Sequence, residues 1–178
     1  MRATIVFTLT GPDRVGIVEE VTDLFLGLGG NVETSRMARL GGEFAILMLV
    51  TLPAEHLARL DETVRHLAEH GYRVTTSETR PAQVEAEAGW VPYRVQVSGA
   101  DHEGIIHNIA AGLSRQGINI ESMDTGTSRA PVTGTQLFSM SALVMIPSDL
   151  AQTDWIAALK EAGDRSNVDV LVTPATAE

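Results

Sequence analysis

From residue 2 to residue 10 the chain alternates, with Ile5, Phe7 and Leu9 on one side and Thr4, Thr8 and Thr10 on the other, which predicts a strand. Gly11-Pro12-Asp13 is expected to end it. Val18, Val21, Thr22, Phe25 and Leu28 then recur at helical spacing, and Gly29-Gly30 offers a left-handed stop. A polar strand over 31–40, a tight turn at Gly41-Gly42 and a β-rich run over 43–51 follow, with Pro53 as a breaker. Leu57, Leu60, Val64 and Leu67 line a second helix, whose other face carries Glu55, Arg59, Asp61, Glu62, Arg65 and Glu69. Gly71 leads into a last strand over 72–77, so the order is β-α-β-β-α-β.

The same text is then written again. With a shift of 88 positions, Gly11, Asp13, Gly16, Ile17, Gly29, Asn31 and Glu33 fall on Gly99, Asp101, Gly104, Ile105, Gly117, Asn119 and Glu121. Most of these residues set turns, caps and close approaches rather than fill a core. The second copy reads as a strand over 93–98, a helix with Ile106, Ile109, Ala110 and Leu113 inward, and strands over 119–127 and 137–146. A helix around Trp155, Ile156 and Leu159 and a strand over 168–172 complete it. Phe44 and Pro53 match Phe138 and Pro147 at a shift of 94, which puts six extra residues in the second hairpin, over 128–135, a loop long enough to cover something. The stretch 78–92, rich in Ala, Glu and Pro, reads as a surface linker. The expected organisation is one domain over 1–80, a linker over 81–92 and a second domain over 93–178.

The order of elements is that of a ferredoxin-like plait, an α+β fold with a four-stranded antiparallel sheet and both helices on one face. Hydrophobic residues make up 44% and charged residues 20% of the chain, which is globular composition with no apolar run of membrane-spanning length. The opening residues enter the strand alternation at once, without the basic and apolar blocks of a secretory leader, so a cytoplasmic location is expected. The absence of cysteine excludes disulfides, thiol catalysis and thiolate metal sites. The formal charge of −10, with no basic stripe, argues against direct nucleic-acid binding. Residues 44–50 of the third strand hold one aromatic and so lack the stacking platform of an RNA-recognition sheet.

Thr8-Leu9-Thr10-Gly11-Pro12-Asp13-Arg14-Val15-Gly16-Ile17-Val18, followed a helix later by Gly29-Gly30-Asn31-Val32, resembles the ACT domain, an amino-acid-sensing regulatory module. The second copy, Val97-Ser98-Gly99-Ala100-Asp101-His102-Glu103-Gly104-Ile105-Ile106 with Gly117-Ile118-Asn119-Ile120, resembles it too, with His102-Glu103 in place of the usual Arg and small or Pro residue. Two such modules and nothing else resemble the glycine-cleavage-system transcriptional repressor family. The resemblance implies ligand binding at domain interfaces and gene control through a DNA-binding partner.

The residues themselves point to a site at each leading helix. A helix N-terminus presents unpaired N–H groups and about half a positive charge, so the loop Gly11 to Ile17 suits a carboxylate, and Gly16 has no Cβ to hold a ligand off. The plainer reading makes Asp13 and Asp101 N-caps, which is preferred for them, and makes Gly16 and Gly104 packing glycines, which is weighed evenly against ligand approach. Asn31 and Asn119 read first as C-cap or turn residues. At ~1.5 Å per residue Gly16 and Asn31 stand on the order of 20 Å apart across one helix, so they cannot share a small ligand within one module. They meet only if modules pair side by side and head to tail, as a pseudo-twofold pair with up to two sites. The candidate ligand set is Asp13, Arg14, Val15, Gly16, Ile17 and Asn31, with Asp101, His102, Glu103, Gly104, Ile105 and Asn119.

Catalytic and metal readings fare worse. His102 and His107 are five apart, not the four a zinc-protease helix needs, and His66 and His70, correctly spaced, sit among Arg65 and Glu69 on a solvated face. No catalytic set, metal or cofactor is predicted. The third strand is apolar on both faces, with Ala45, Leu47 and Leu49 opposite Phe44, Ile46, Met48 and Val50, which predicts a covered outer sheet face and a homo-oligomer. The expected function is a non-catalytic sensor that binds an amino acid such as glycine and acts on a protein partner, a DNA-binding transcription factor as the repressor resemblance implies. The alternative is a regulatory subunit of an amino-acid or one-carbon enzyme, since the opening segment also looks like that of formyltetrahydrofolate deformylase.

Overall fold

The computed structural model describes residues 1–79 and 89–175. The chain divides into two compact units, Met1–Gln83 and Val84–Glu178. In the first, strands β1 (Arg2–Pro12), β2 (Asn31–Leu40), β3 (Glu43–Pro53) and β4 (Arg73–Thr79) alternate with helices α1 (Ile17–Gly27) and α2 (Leu57–Glu69). The second repeats the order with β5 (Val91–Ala100), α3 (Ile105–Arg115), β6 (Asn119–Arg129), β7 (Gln136–Ile146), α4 (Trp155–Arg165) and β8 (Val168–Pro174). The sheets run β2-β3-β1-β4 and β6-β7-β5-β8, antiparallel throughout, which is the expected ferredoxin-like plait twice over. Among the described residues no helix is long and apolar enough to cross a membrane.

Each unit buries its own core between sheet and helices. Ile5, Phe7 and Leu9 of β1 and Ile46, Met48, Val50 and Leu52 of β3 meet Ile17, Val21 and Phe25 of α1 and Leu60 and Leu67 of α2. Phe7 and Phe25 close edge to face at 5.0 Å, a geometry that ring quadrupoles favour. In the second unit Val95, Val97, Met140, Ala142 and Val144 meet Ile105, Ile109, Leu113, Trp155 and Leu159.

Several expectations need correction. β1 runs through Gly11 and Pro12, which pair with Phe44 and Glu43, and β3 ends on Pro53 rather than before it. A strand-terminal proline paired at its C=O loses nothing from its missing N–H. The helices begin immediately after Gly16 and Gly104, so the core line is Ile17, Val21 and Phe25, and Ile105, Ile109 and Leu113. Val18 and Ile106, expected inward, stay 37% and 44% exposed. β5 opens at Val91, two residues before the expected start, and residues 80–88 of the expected linker lie outside the described residues.

The outer face of the first sheet is only partly apolar. The register sets Leu47 beside Thr8 and Leu49 beside Val6, while Thr75 and Ser77 border them from β4, and Leu47 is 48% exposed. The longer second hairpin extends β6 to Arg129 and turns over Ala130 to Thr135, with Ala130 N–H donating to Thr135 C=O at 2.8 Å and Val132 almost wholly exposed at its tip.

Candidate functional site

α1 begins at a glycine because its entrance requires one. Gly16 has φ 89 and Gly104 φ 91, a left-handed backbone that side chains with a Cβ resist. Neither glycine is crowded: a Cβ on Gly16 meets only Arg14 Nη1 at 3.9 Å, and one on Gly104 only Asn108 Nδ2 at 3.9 Å. The packing reading of these two glycines is therefore overturned. Close packing belongs instead to Gly11, where a Cβ falls 2.5 Å from Tyr72 Cδ1, and to Gly99, where it falls 2.8 Å from Val168 Cγ1.

The first helical hydrogen bond runs from Glu20 N–H to Gly16 C=O, and in the second unit from Asn108 N–H to Gly104 C=O. The N–H groups of Ile17, Val18 and Glu19, and of Ile105, Ile106 and His107, precede those ladders and carry the positive end of the helix dipole. The N-cap reading of Asp13 and Asp101 fails, because the caps are Gly16 and Gly104 and no side chain caps either helix. Asp13 is three residues too early. Its carboxylate pairs with Arg39 Nε at 3.1 Å and its N–H donates to Gly42 C=O at 3.0 Å, tying the entrance loop to the β2–β3 hairpin. Asp101 N–H makes the equivalent bond to Gln136 C=O at 2.8 Å.

Around the first entrance Arg14 pairs with Glu20 of α1 and lies over the Tyr72 ring, 5.6 Å from its centre. Glu20 also faces His66 Nε2 of α2 at 3.8 Å, and Tyr72 Oη donates to Pro12 C=O at 2.9 Å. The Glu20 carboxylate holds the Arg14 guanidinium pKa further above its usual value. In the second copy the positions of Arg14 and Glu20 are taken by His102 and Asn108, which turn to the end of α4 instead. His102 meets the Ser166 and Glu103 carbonyl oxygens, and Asn108 Nδ2 donates to Ser166 Oγ at 2.9 Å. Val15 is fully exposed, and its counterpart Glu103 brings a carboxylate to the second entrance. The side chains of Ile17 and Ile105 point into the cores, so only their backbones remain open to a ligand.

Asn31 and Asn119 are neither caps nor turn residues, since each is the first residue of an edge strand. The helix ends are closed upstream by Schellman pairs. Gly29 and Gly30 N–H donate to Leu26 and Phe25 C=O at 2.9 and 2.8 Å, and Gly117 and Ile118 N–H to Ser114 and Leu113 C=O at 3.0 and 3.1 Å. Asn31 Nδ2 donates to Glu33 Oε1 at 3.0 Å, and Thr51 Oγ1 to the same oxygen at 2.7 Å. The Asn31 and Thr51 donors hold the Glu33 carboxyl below its usual pKa, with Arg2 adding an attractive charge. Asn31 also lines a surface groove of about 430 Å³ with Glu19, Thr22, Asp23, Leu26 and Gly30. Arg14 and Gly16 thus share one end of α1, and Asn31 stands beyond the other.

Sequence reasoning missed Glu20, Tyr72, Asn108 and Ser166 as parts of the entrances. A signal existed for two of them, because Arg14 and Glu20 change together to His102 and Asn108 between the copies. Among the described residues no group of three or more His, Asp or Glu is placed to hold a metal.

Comparison with known proteins agrees with this architecture. The ACT domain family model matches residues 3–77. The chain is 30% identical over 129 residues to the glycine cleavage system transcriptional repressors of Escherichia coli (strain K12) and Shigella flexneri. That alignment covers 71% of this chain and 66%, just under two thirds, of each relative. A solved protein of Galdieria sulphuraria, described only as unknown, is 31% identical with a TM-score of 0.87, covering 99% of this chain and all (100%) of that one. A candidate glycine cleavage system transcriptional repressor of known structure shares the fold, with a TM-score of 0.68, 21% identity and 99% of each chain covered. The first module thus matches the ACT domain family over residues 3–77, and the second unit repeats its strand order and its glycine-led helix, a tandem arrangement resembling the glycine cleavage system transcriptional repressors.

Proposed function

We propose that the chain is a non-catalytic sensor in which a small amino acid, glycine foremost, sets its carboxylate against a glycine-led helix entrance. Asn31 or Asn119 of a neighbouring module completes the site, and the occupied form controls amino-acid metabolism. The observation that carries this reading is the left-handed, uncrowded glycine at the head of both α1 and α3, which leaves the first N–H groups of each helix open. An anion gains there from both the N–H groups and the dipole. The first entrance is the better of the two, because the second sets Glu103 where the first has Val15.

The relatives named as glycine cleavage system transcriptional repressors favour glycine as the effector and transcription as the output. A chain of net charge −10 acts on a promoter through a DNA-binding partner rather than by itself. Regulation then requires that the ligand bind one arrangement of the modules better than another.

Calorimetric titration of the full chain with glycine, and with the other standard amino acids in turn, tests the reading. Saturable binding is expected, and Val15→Asp, a change at a fully exposed position, should weaken it about fivefold or more at low salt. Absence of binding by every amino acid overturns the sensor, and unchanged affinity in Val15→Asp moves the site away from the entrance.

A further inference from the structure

We infer that His102 is a protonation-dependent clasp that fastens the loop before α3 to the C-terminal end of α4. His102 Nε2 lies 2.6 Å from the Ser166 carbonyl oxygen and Nδ1 lies 2.9 Å from the Glu103 carbonyl oxygen. Carbonyl oxygens only accept, so both ring nitrogens must donate, and only the imidazolium has two N–H groups. The neutral ring can keep one of the two bonds and turns a lone pair toward the other oxygen.

The site of attachment favours the charged ring independently. Ser166 is the C-cap of α4, so its carbonyl sits at the negative end of that helix dipole, where a cation is stabilised. Ser166 is also the one buried polar residue among those described, 3% exposed, and its Oγ accepts from Asn108 Nδ2 of α3. The clasp thus joins three elements at a fixed point: the β5–α3 loop, α3 and the α4–β8 turn. Asp101 on the same loop adds an attractive charge after the two carbonyls, and together they hold the ring above the ordinary histidine pKa of 6.5. Among the described residues, the other titratable groups on these elements, Glu103, His107, Asp164, Arg165 and Asp169, make no side-chain hydrogen bond or ion pair with the ring. The first unit has no such device, because Arg14 stands at the matching position and is charged at every relevant pH.

The clasp does not depend on ligand binding at the neighbouring entrance. Its sign follows from the direction of the shift: with a folded pKa above 6.5, the added stability is complete below 6.5 and is lost as pH rises through the folded value. Imidazole titration of the full chain by heteronuclear NMR, with His102→Gln to assign the signal among five histidines, reads it directly. His102 is expected to titrate above 6.5, and a midpoint at or below 6.5 overturns the inference. Glutamine can donate to one carbonyl at any pH, so wild type should melt several degrees above His102→Gln at pH 5.5, with the gap closing as pH rises through the folded pKa. A gap that does not change with pH also overturns it.

Discussion

Glycine does two different jobs in this chain, and substitution separates them. At Gly16 and Gly104 the backbone is left-handed and the surroundings are open, so alanine costs strain alone, about 1–2 kcal/mol. Asparagine tolerates that conformation better, so Gly16→Asn should unfold in urea at a higher midpoint than Gly16→Ala. At Gly11 the order should invert. Its φ is ordinary, but a Cβ lands 2.5 Å from the Tyr72 ring and 3.2 Å from the Tyr72 backbone, so each added atom worsens the overlap and Gly11→Asn should fall below Gly11→Ala, itself about 2 kcal/mol below wild type. A common order at both positions would refute the division. The repeat exposed all four glycines, yet it could not say which needed conformation and which needed room. That distinction depends on Tyr72 and Val168, which lie 61 and 69 residues away in sequence and reach the glycines only through the pairing of β1 with β4 and of β5 with β8.

At the scale of elements, alternation and helical spacing located every strand and helix now described, and β2 with its bounds of 31 and 40, because those signals are local. The errors that bear on the site lie at the helix ends. Asp13 looked like a cap because it stands before a helix, but two exposed residues and a left-handed glycine intervene, and Arg39 across the hairpin claims its carboxylate. Asn31 looked like a helix stop, but Gly29 and Gly30 finish that task and free it to open β2. Its role there has a pH signature. Glu33, held by Asn31, then by Thr51, has its pKa lowered from 4.5, so its contribution is present above 4.5 and is lost as pH falls through the folded value. Wild type should therefore lose melting temperature relative to Glu33→Gln as pH drops from about 5 to 3, a comparison that differential scanning calorimetry makes directly. Parallel curves would mean that the start of β2 is held by its ladder alone.

For the whole molecule the decisive quantity is charge. Neutralising even 6–10 phosphates takes a concentrated set of cations, whereas this chain has 13 Lys and Arg against 23 Asp and Glu. Several of the 13 are already engaged: Arg14 with Glu20, Arg39 with Asp13, and Arg2 with the Thr51 and Gly29 carbonyls. No described helix is free to read a groove either, since α1, α2, α3 and α4 each lay an apolar stripe on their own sheet. The full chain alone should therefore leave a duplex of promoter DNA unshifted in a gel at about 0.15 M salt, with or without glycine. If it acts on transcription, a shift produced by a DNA-binding partner should change when the chain is added, and change again when glycine is added with it. Retardation of the duplex by the chain alone, weakening as salt rises, would mean that a cationic surface is assembled despite the net charge, and the route through a partner would have to be given up.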